Sequence, residues 1–272
     1  MKYNIFLSDF DGTLVRGDGT VSEKNKQAIA KYRAAGGVFA VVTGRALSSI
    51  LPRLEELGLT DGIAVAFQGA VIADAGTGKV IKAGGFTQAG ALRAIRALEA
   101  ENHHIHIYTT DRFYCNRDDE PLKIYERICG IKAEVIENEP LSRKVEREGL
   151  KIVKVLAMVE KEARDALAER LRKALGEEYY VTLSADYLVE IMPAGESKAN
   201  AVEFLSEHYG VPIGEIAAIG DNYNDLPMIL RAGGKFAVES GENELKKCAT
   251  VVPSCEEDGV AFALEIAMGE TR

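Results

Sequence analysis

The sequence predicts an α/β fold: a doubly wound parallel sheet core interrupted by an inserted module of α+β type. Three observations predict it. Short apolar runs alternate with amphipathic stretches from Ile5 to Ala66, this rhythm breaks between Gly84 and Pro193, and it returns from Ser197 onward. A β-α-β-α-β order with short connections implies parallel strands wound by helices, whereas strands paired with their neighbours and helices gathered between them imply α+β. The simplest organisation is a core of two segments, residues 1–83 and 192–272, with residues 84–191 inserted as a second domain. Gly84-Gly85 and Pro193-Ala194-Gly195 are the expected linkers.

In chain order, Ile5–Leu7 reads as a buried strand. Ser22 is a helix cap, and Ala28, Ile29 and Tyr32 follow helical spacing up to Gly36-Gly37. Val38–Val42 is a second strand, residues 46–57 a helix closed by Gly58, and Ile63–Ala66 a third strand. Ala70–Asp74 and Val80–Lys82 flank the turn Ala75-Gly76-Thr77-Gly78 as a hairpin. In the insert, a helix opens at Thr87, residues 104–108 and 113–116 form a strand pair, and residues 120–129 form a polar helix. Residues 151–159 read as a long strand, 160–175 as a helix, and 179–184 with 188–192 as a final strand pair. The core then resumes with a helix from Ser197 to Tyr209, strand 216–219, helix 224–230, strand 236–238 and a last helix at 260–268.

Composition narrows the function classes. With 47% hydrophobic and 28% charged residues over 272 positions, the chain is ordinary globular protein, long enough for a substantial core. A net charge of -9 leaves no basic surplus to neutralise phosphates, which argues against nucleic acid or an anionic membrane as partner. No apolar run is long enough to span a bilayer, and the first residues do not make a signal peptide. Cys115, Cys129, Cys248 and Cys255 are widely spaced and read as reduced thiols, which implies a cytoplasmic location.

Four clusters fall at the carboxyl ends of predicted core strands, where doubly wound sheets bind ligands. The first is Asp9-Phe10-Asp11-Gly12-Thr13-Leu14. Strand alternation points Asp9 and Asp11 the same way and turns Phe10 into the core. Two carboxylates so placed repel by about 4 kcal/mol at 4 Å in an effective dielectric near 20, and a hard divalent cation is the usual compensation. Gly12 allows a sharp break, and Thr13 adds a hydroxyl to the same pocket. The second cluster is Thr43-Gly44-Arg45, a hydroxyl and backbone N–H groups at a helix N-terminus, suited to cradle phosphate. The third is Lys198, and the fourth is Gly220-Asp221-Asn222-Tyr223-Asn224-Asp225, polar groups that are expensive after a buried strand unless they bind something. Each cluster alone also fits a plain strand–helix junction or a solvated lysine; together they supply the parts of one phosphoryl-transfer reaction. Asp9 would attack phosphorus, and Asp11 would protonate the leaving alkoxide and then deprotonate water. Phe10, Thr43, Gly44, Lys198 and Asn224 are assigned to the phosphate. Mg²⁺ would be held by Asp9, the Asp11 backbone carbonyl and Asp221, with Asp225, Thr13 and Arg45 standing behind them.

These residues resemble the haloacid dehalogenase-like phosphatases, in particular their Cof-type subclass IIB hydrolases, over nearly the full length. Residues 9–14 are similar to motif one, Thr43-Gly44-Arg45 to motif two, the stretch from Glu190 through Pro193 to Lys198 to motif three, and residues 220–225 to motif four. The resemblance implies a Rossmann-like core, a cap inserted after the third core strand, and Mg²⁺-dependent hydrolysis of small phosphorylated metabolites, sugar phosphates first. It implies Asp9 as nucleophile, Asp11 as acid and base, and the metal ligands named above. Three positions depart from the pattern: Gln68 where Asn is usual, Ala199 where Gly follows the lysine, and Ser240 where Asn is common. A phosphomutase or phosphotransferase would use the same nucleophile, and a non-catalytic sensor would accept phosphate on Asp9 without turnover. In the insert, His103, His104 and His106, with Tyr108 and Tyr114, read either as a half-buried strand or as pocket lining.

Overall fold

The computed structural model describes residues 1–270; Thr271 and Arg272, the end of the segment expected at 192–272, lie outside the described residues. The first core segment contains β1 (Ile5–Ser8), α1 (Glu23–Ala34), β2 (Val38–Val42), α2 (Leu47–Glu56), β3 (Ile63–Ala66), β4 (Val71–Asp74) and β5 (Val80–Ala83). The second contains α7 (Ala199–Tyr209), β12 (Ile216–Gly220), α8 (Leu226–Arg231), β13 (Gly234–Val238), α9 (Asn243–Lys246), β14 (Thr250–Val252) and α10 (Gly259–Met268). Together they build one sheet in the order β14-β13-β12-β1-β2-β3-β4-β5. Strands β14 through β3 run parallel, and the β4–β5 hairpin extends the edge antiparallel. The winding reverses between β1 and β12, which are direct neighbours.

Alternation along β1 divides the core. Phe6 packs on one side with Tyr32 of α1, Phe39, Ile50 of α2 and Leu264 of α10. Ile5 and Leu7 pack on the other with Val202 and Leu205 of α7, Met228 of α8 and Leu245 of α9. Helices therefore cover both faces, as a parallel sheet requires. Among the described residues no helix is long and apolar enough to cross a membrane.

Between the segments lie α3 (Gln88–Glu99), β6 (His104–Tyr108), β7 (Phe113–Cys115), α4 (Glu120–Cys129), β8 (Glu134–Val135), α5 (Leu141–Glu148), β9 (Lys154–Met158), α6 (Lys161–Leu175), β10 (Tyr179–Ala185) and β11 (Leu188–Pro193). Their sheet has the order β10-β11-β9-β6-β7-β8. One face, carrying Ile105, Ile107, Val155, Ala157, Val189 and Ile191, packs on α3, α5 and α6. The other carries His104, His106, Tyr108, Lys154, Leu156 and Glu190, and shares the core's cluster through Tyr108, Leu156 and Tyr125 of α4.

Several elements differ from expectation. The strand expected at 151–159 is confined to Lys154–Met158. Helix α5 was not foreseen because Leu141 and Val145 are its only large buried apolar residues. Strands β8 and β14 and helix α9 span two, three and four residues, too short to show a period. The helix expected from Asn224 begins as a 3₁₀ turn at Tyr223–Asp225 and becomes α8 only at Leu226.

Gly69, in the 3₁₀ turn Phe67–Gly69 between β3 and β4, adopts φ +94°, and a Cβ there would lie 2.2 Å from the Ser197 carbonyl oxygen, just ahead of α7. Gly69→Ala is expected to cost about 1–3 kcal/mol, read as a melting temperature lowered by several degrees in circular dichroism. An unchanged melting temperature would show that the two segments do not meet this closely.

Candidate active site

The carboxyl ends of β1, β2 and β12 converge at the winding switch, and each delivers a functional group. Asp9 follows β1, its N–H donating to Ile219 O at 3.0 Å, which extends the ladder by one residue. Its carboxylate accepts from the Lys198 ammonium at the start of α7. Lys198 also donates to Asp225 Oδ1 at 2.5 Å. The other Asp225 oxygen accepts from the N–H groups of Asp221 (2.9 Å) and Asn222 (3.0 Å), which fixes the loop after β12. Asp221 accepts from the Thr13 hydroxyl at 2.9 Å. Gly12 permits that approach: it has φ +79°, and a Cβ would stand 2.7 Å from an Asp221 oxygen.

The electrostatics follow from burial. Carboxylate oxygens of Asp9, Asp221 and Asp225 lie within 4.8 Å of one another, against one ammonium. Burial, then Asp225, hold Asp9 well above the usual carboxylate range, with Lys198 opposing. Burial and Asp225 push Asp221 up to about 7. For Lys198, burial pulls downward, but Asp225 and Asp9 together outweigh it and hold the ammonium above the ordinary lysine range.

Asp11 lies on the wall of the same cavity as Asp9, but the two carboxylates do not form the bare repelling pair expected of a continuous strand. β1 ends at Ser8 and the chain turns, with Leu14 and Val15 N–H both bonding Phe10 O. Asp11 is instead gripped by Arg45 through both oxygens, at 2.7 and 2.6 Å. The Arg45 guanidinium stacks over the buried Phe10 ring and donates to Ile128 O at 3.2 Å, at the end of α4. Thr43 is buried after β2, its hydroxyl accepting from Arg45 N–H. Gly44 offers its carbonyl to the Lys154 ammonium of β9 at 2.7 Å.

Two charged residues that line this cavity are not among the expected site residues. Lys154 and Glu190, nearly fully buried on the inner face of the second sheet, pair at 3.2 Å and both line the cavity. Glu190 also accepts from Gln68 at 2.7 Å and from Ser184 at 2.7 Å. The signal available was a charged residue inside each of two apolar runs, Val153-Lys154-Val155-Leu156 and Val189-Glu190-Ile191. Gln68, one of the three positions singled out in the sequence, reaches across to Glu190. A carboxylate only accepts, so Gln68 turns its amide NH₂ to Glu190 and its carbonyl to Asn224, which donates at 3.1 Å. Asn224 is therefore oriented from the second sheet, and its own Oδ1 is buried without a partner among the described residues. Ser240 is exposed and away from the cavity, and Ala199 opens α7 as an ordinary helical residue.

The chain is similar to known proteins over nearly its full length. The model of the haloacid dehalogenase-like hydrolase family matches residues 6–264. The chain belongs to that family. It is 28% identical to the 5-amino-6-(5-phospho-D-ribitylamino)uracil phosphatase of Bacillus subtilis, covering 94% of this chain and 95% of that one. It is 25% identical to the HMP-PP phosphatase of Yersinia pestis, over 96% and 94% of the two chains. The crystal structure of TM0651 from Thermotoga maritima superposes with a TM-score of 0.80 at 28% identity, covering 97% of each chain. The hydrolase is thus a Cof-type phosphatase, a phosphoric monoester hydrolase, on the doubly wound fold that the sequence predicts.

The raised Asp221 value carries a stability consequence for metal-free protein. Between its ordinary value of 3.8 and about 7 the folded chain keeps a proton that the unfolded chain has released. Stability therefore falls as pH rises through that window, by up to about 1.4 kcal/mol per unit. In urea titrations with chelator, Asp221→Asn is expected to gain on wild type as pH goes from 5 to 7.5; a constant difference would refute the assignment.

Proposed function

We propose that this hydrolase removes phosphate from small phosphorylated metabolites, sugar phosphates foremost, with Mg²⁺ and through an aspartyl-phosphate on Asp9. The observation that carries the reading is the Asp9 carboxylate, buried against Lys198, beside Asp221 and Asp225, and opening onto the cavity between the two sheets.

The donor set fits a hard divalent cation. Three carboxylates against one ammonium leave two negative charges to balance, and all the ligand atoms are oxygens. Asp225 has both oxygens engaged, so Asp9 and Asp221, with the Asp11 carbonyl, are the groups that would hold Mg²⁺. When bound, the cation supplies charge neutralisation and polarises the phosphoryl oxygens.

The chain's own residues do the rest. An Asp9 oxygen forms a bond to phosphorus while the bond to the leaving oxygen breaks, and Asp11 gives that oxygen its proton. Water then attacks the aspartyl-phosphate, Asp11 takes its proton, and the Asp9–phosphorus bond breaks. Lys198, the Thr43 hydroxyl, the backbone of Phe10 and Gly44, and the Asn224 amide are assigned to the phosphoryl oxygens. Asp11 must exchange its pair with Arg45 to reach the leaving oxygen, and Arg45 is tied to α4. Residues 84–191 would act as a cap over this reaction, excluding water while the ester bond breaks.

A sugar phosphate suits the cavity because Tyr125, Ser184, Glu190 and Asn222 offer hydroxyl, carboxylate and amide partners to a polyhydroxylated group. The Bacillus subtilis relative is named for a ribityl phosphate, a substrate of that chemistry. The unpaired cysteines fit a reducing cytoplasm.

Phosphate release from para-nitrophenyl phosphate, then from a panel of sugar phosphates, tests the proposal. Chelator should abolish turnover, and Asp9→Asn should lower kcat by about 10⁴-fold or more with the circular dichroism spectrum unchanged. Asp11→Asn is expected to lose about 10²–10⁴-fold, with a smaller loss for para-nitrophenyl phosphate than for an alkyl phosphate. Near wild-type kcat in Asp9→Asn, or full activity in excess chelator, would overturn the mechanism.

A further inference from the structure

The inner face of the second sheet holds a second group of convergent donors, none of which lines the active-site cavity. His104 and His106 alternate onto one face of β6, and Cys115 on β7 is the register partner of His106. All three are buried, and their ligand atoms lie within 4.8 Å of one another. His104 Nε2 stands 3.1 Å from His106 Nε2 and 3.1 Å from Cys115 Sγ.

The surrounding groups decide what those atoms present to each other. His104 Nδ1 faces Asp119 Oδ2 at 3.3 Å, and a carboxylate requires the proton there. His106 Nδ1 faces the Tyr108 hydroxyl at 3.4 Å, whose own proton goes to Tyr125 at 2.7 Å. That also places a proton on His106 Nδ1. The Cys115 thiol donates to Arg117 O at 3.2 Å. Two imidazole lone pairs and the sulfur lone pairs are therefore turned toward one point. If Tyr125 donated to Tyr108 instead, His106 could give a proton to His104 Nε2, but the sulfur would then face a lone pair already used. A buried imidazolium would satisfy both contacts only at the cost of desolvating a charge. A cation at the centre satisfies all three donors at once.

We propose that His104, His106 and Cys115 bind a borderline-soft divalent cation of the Zn²⁺ class, distinct from the oxygen-ligand site at Asp9. Two imidazole nitrogens and one sulfur are the donors that select zinc over magnesium. Asp119 and Tyr108 orient the two rings from behind, as outer partners do in histidine metal sites. Binding converts the Cys115 thiol to thiolate, and its proton passes to solvent. Of the three donors, His104 also lines the cavity formed with His103, Asp119 and Tyr125, the side from which a further ligand could enter. The ion would cross-link β6 to β7 beneath α4, the helix whose last carbonyls receive Arg45 and Ser49.

Cobalt distinguishes this site from the carboxylate cluster, because only a thiolate gives a near-ultraviolet sulfur-to-cobalt charge-transfer band. Full-length protein in excess Mg²⁺ is titrated with Co²⁺, and separately loaded with Zn²⁺, desalted and analysed for metal. The expected result is about one zinc retained per chain, with the charge-transfer band present in wild type and in Cys248→Ser but lost in Cys115→Ser. X-ray absorption at the zinc edge of wild type, which needs no variant, should show one sulfur and two imidazole ligands. No retained zinc, cobalt binding without the band, a band that survives Cys115→Ser, or an edge spectrum of oxygen ligands only would each overturn the proposal. Phosphate release in Mg²⁺ is read alongside; its failure bears on the Asp9 chemistry and leaves this test intact.

Discussion

The site depends on the position of one buried ammonium. Lys198 has no exposed surface and sits between Asp9, at the end of β1, and Asp225, in the loop after β12. Those strands belong to sequence segments separated by the whole second sheet, so the ammonium closes the fold at the point where the winding reverses. A buried charge whose partner is removed costs about 3–5 kcal/mol, which makes the triad an all-or-none arrangement. It is also incomplete as a charge balance. Asp221 is drawn toward the same point by Thr13 and by the loop that Asp225 anchors, which leaves a surplus of negative charge. The interactions that secure the loops thus gather three carboxylates around a single ammonium.

The second sheet is more than a cover for this arrangement. Its outer face is apolar and buried under three helices, whereas its inner face places a lysine and a glutamate against the core. Lys154 binds the carbonyl of Gly44, in the loop assigned to phosphate, and Glu190 sets the orientation of Gln68 and through it of Asn224. Two core loops are therefore aligned by charges that belong to the insert. Gln68 is the piece of this chain that makes the connection, its amide spanning Glu190 and Asn224.

Much of this was legible from residue types and spacing. The parallel core could be read because strands buried on both faces appear as uninterrupted apolar runs, such as Val38–Val42 and Ile63–Ala66. The acidic and amide residues around Asp9 and Asp221 stood out because such groups are costly at the end of a buried strand. What escaped was of two kinds. Elements of two to four residues have no period to detect, and α5 carries too few apolar positions. The partners of charged residues were also hidden, because a sequence shows that Asp11 and Arg45 exist but not that they meet across 34 positions. Lys154 and Glu190 were available as anomalies within apolar strands, and only the three-dimensional pairing gives them meaning.

The Asp11–Arg45 pair links chemistry to the position of the insert. Arg45 holds both Asp11 oxygens, stacks on Phe10, and donates to the Ile128 carbonyl, so three neighbours share one guanidinium. Each Asp11 oxygen accepts one bond from Arg45, which fixes the direction in which its remaining lone pairs point. An Arg45 without Asp11 would need other acceptors, and the backbone end of α4, already in contact, is the nearest supply. Ser49 on α2 donates to the Cys129 carbonyl one residue further on, so α2 and the loop ahead of it each hold the end of α4. One guanidinium thus ties the loop that carries Asp11 to the end of α4 in the insert, so the position of the insert and the surroundings of Asp11 are set by the same group.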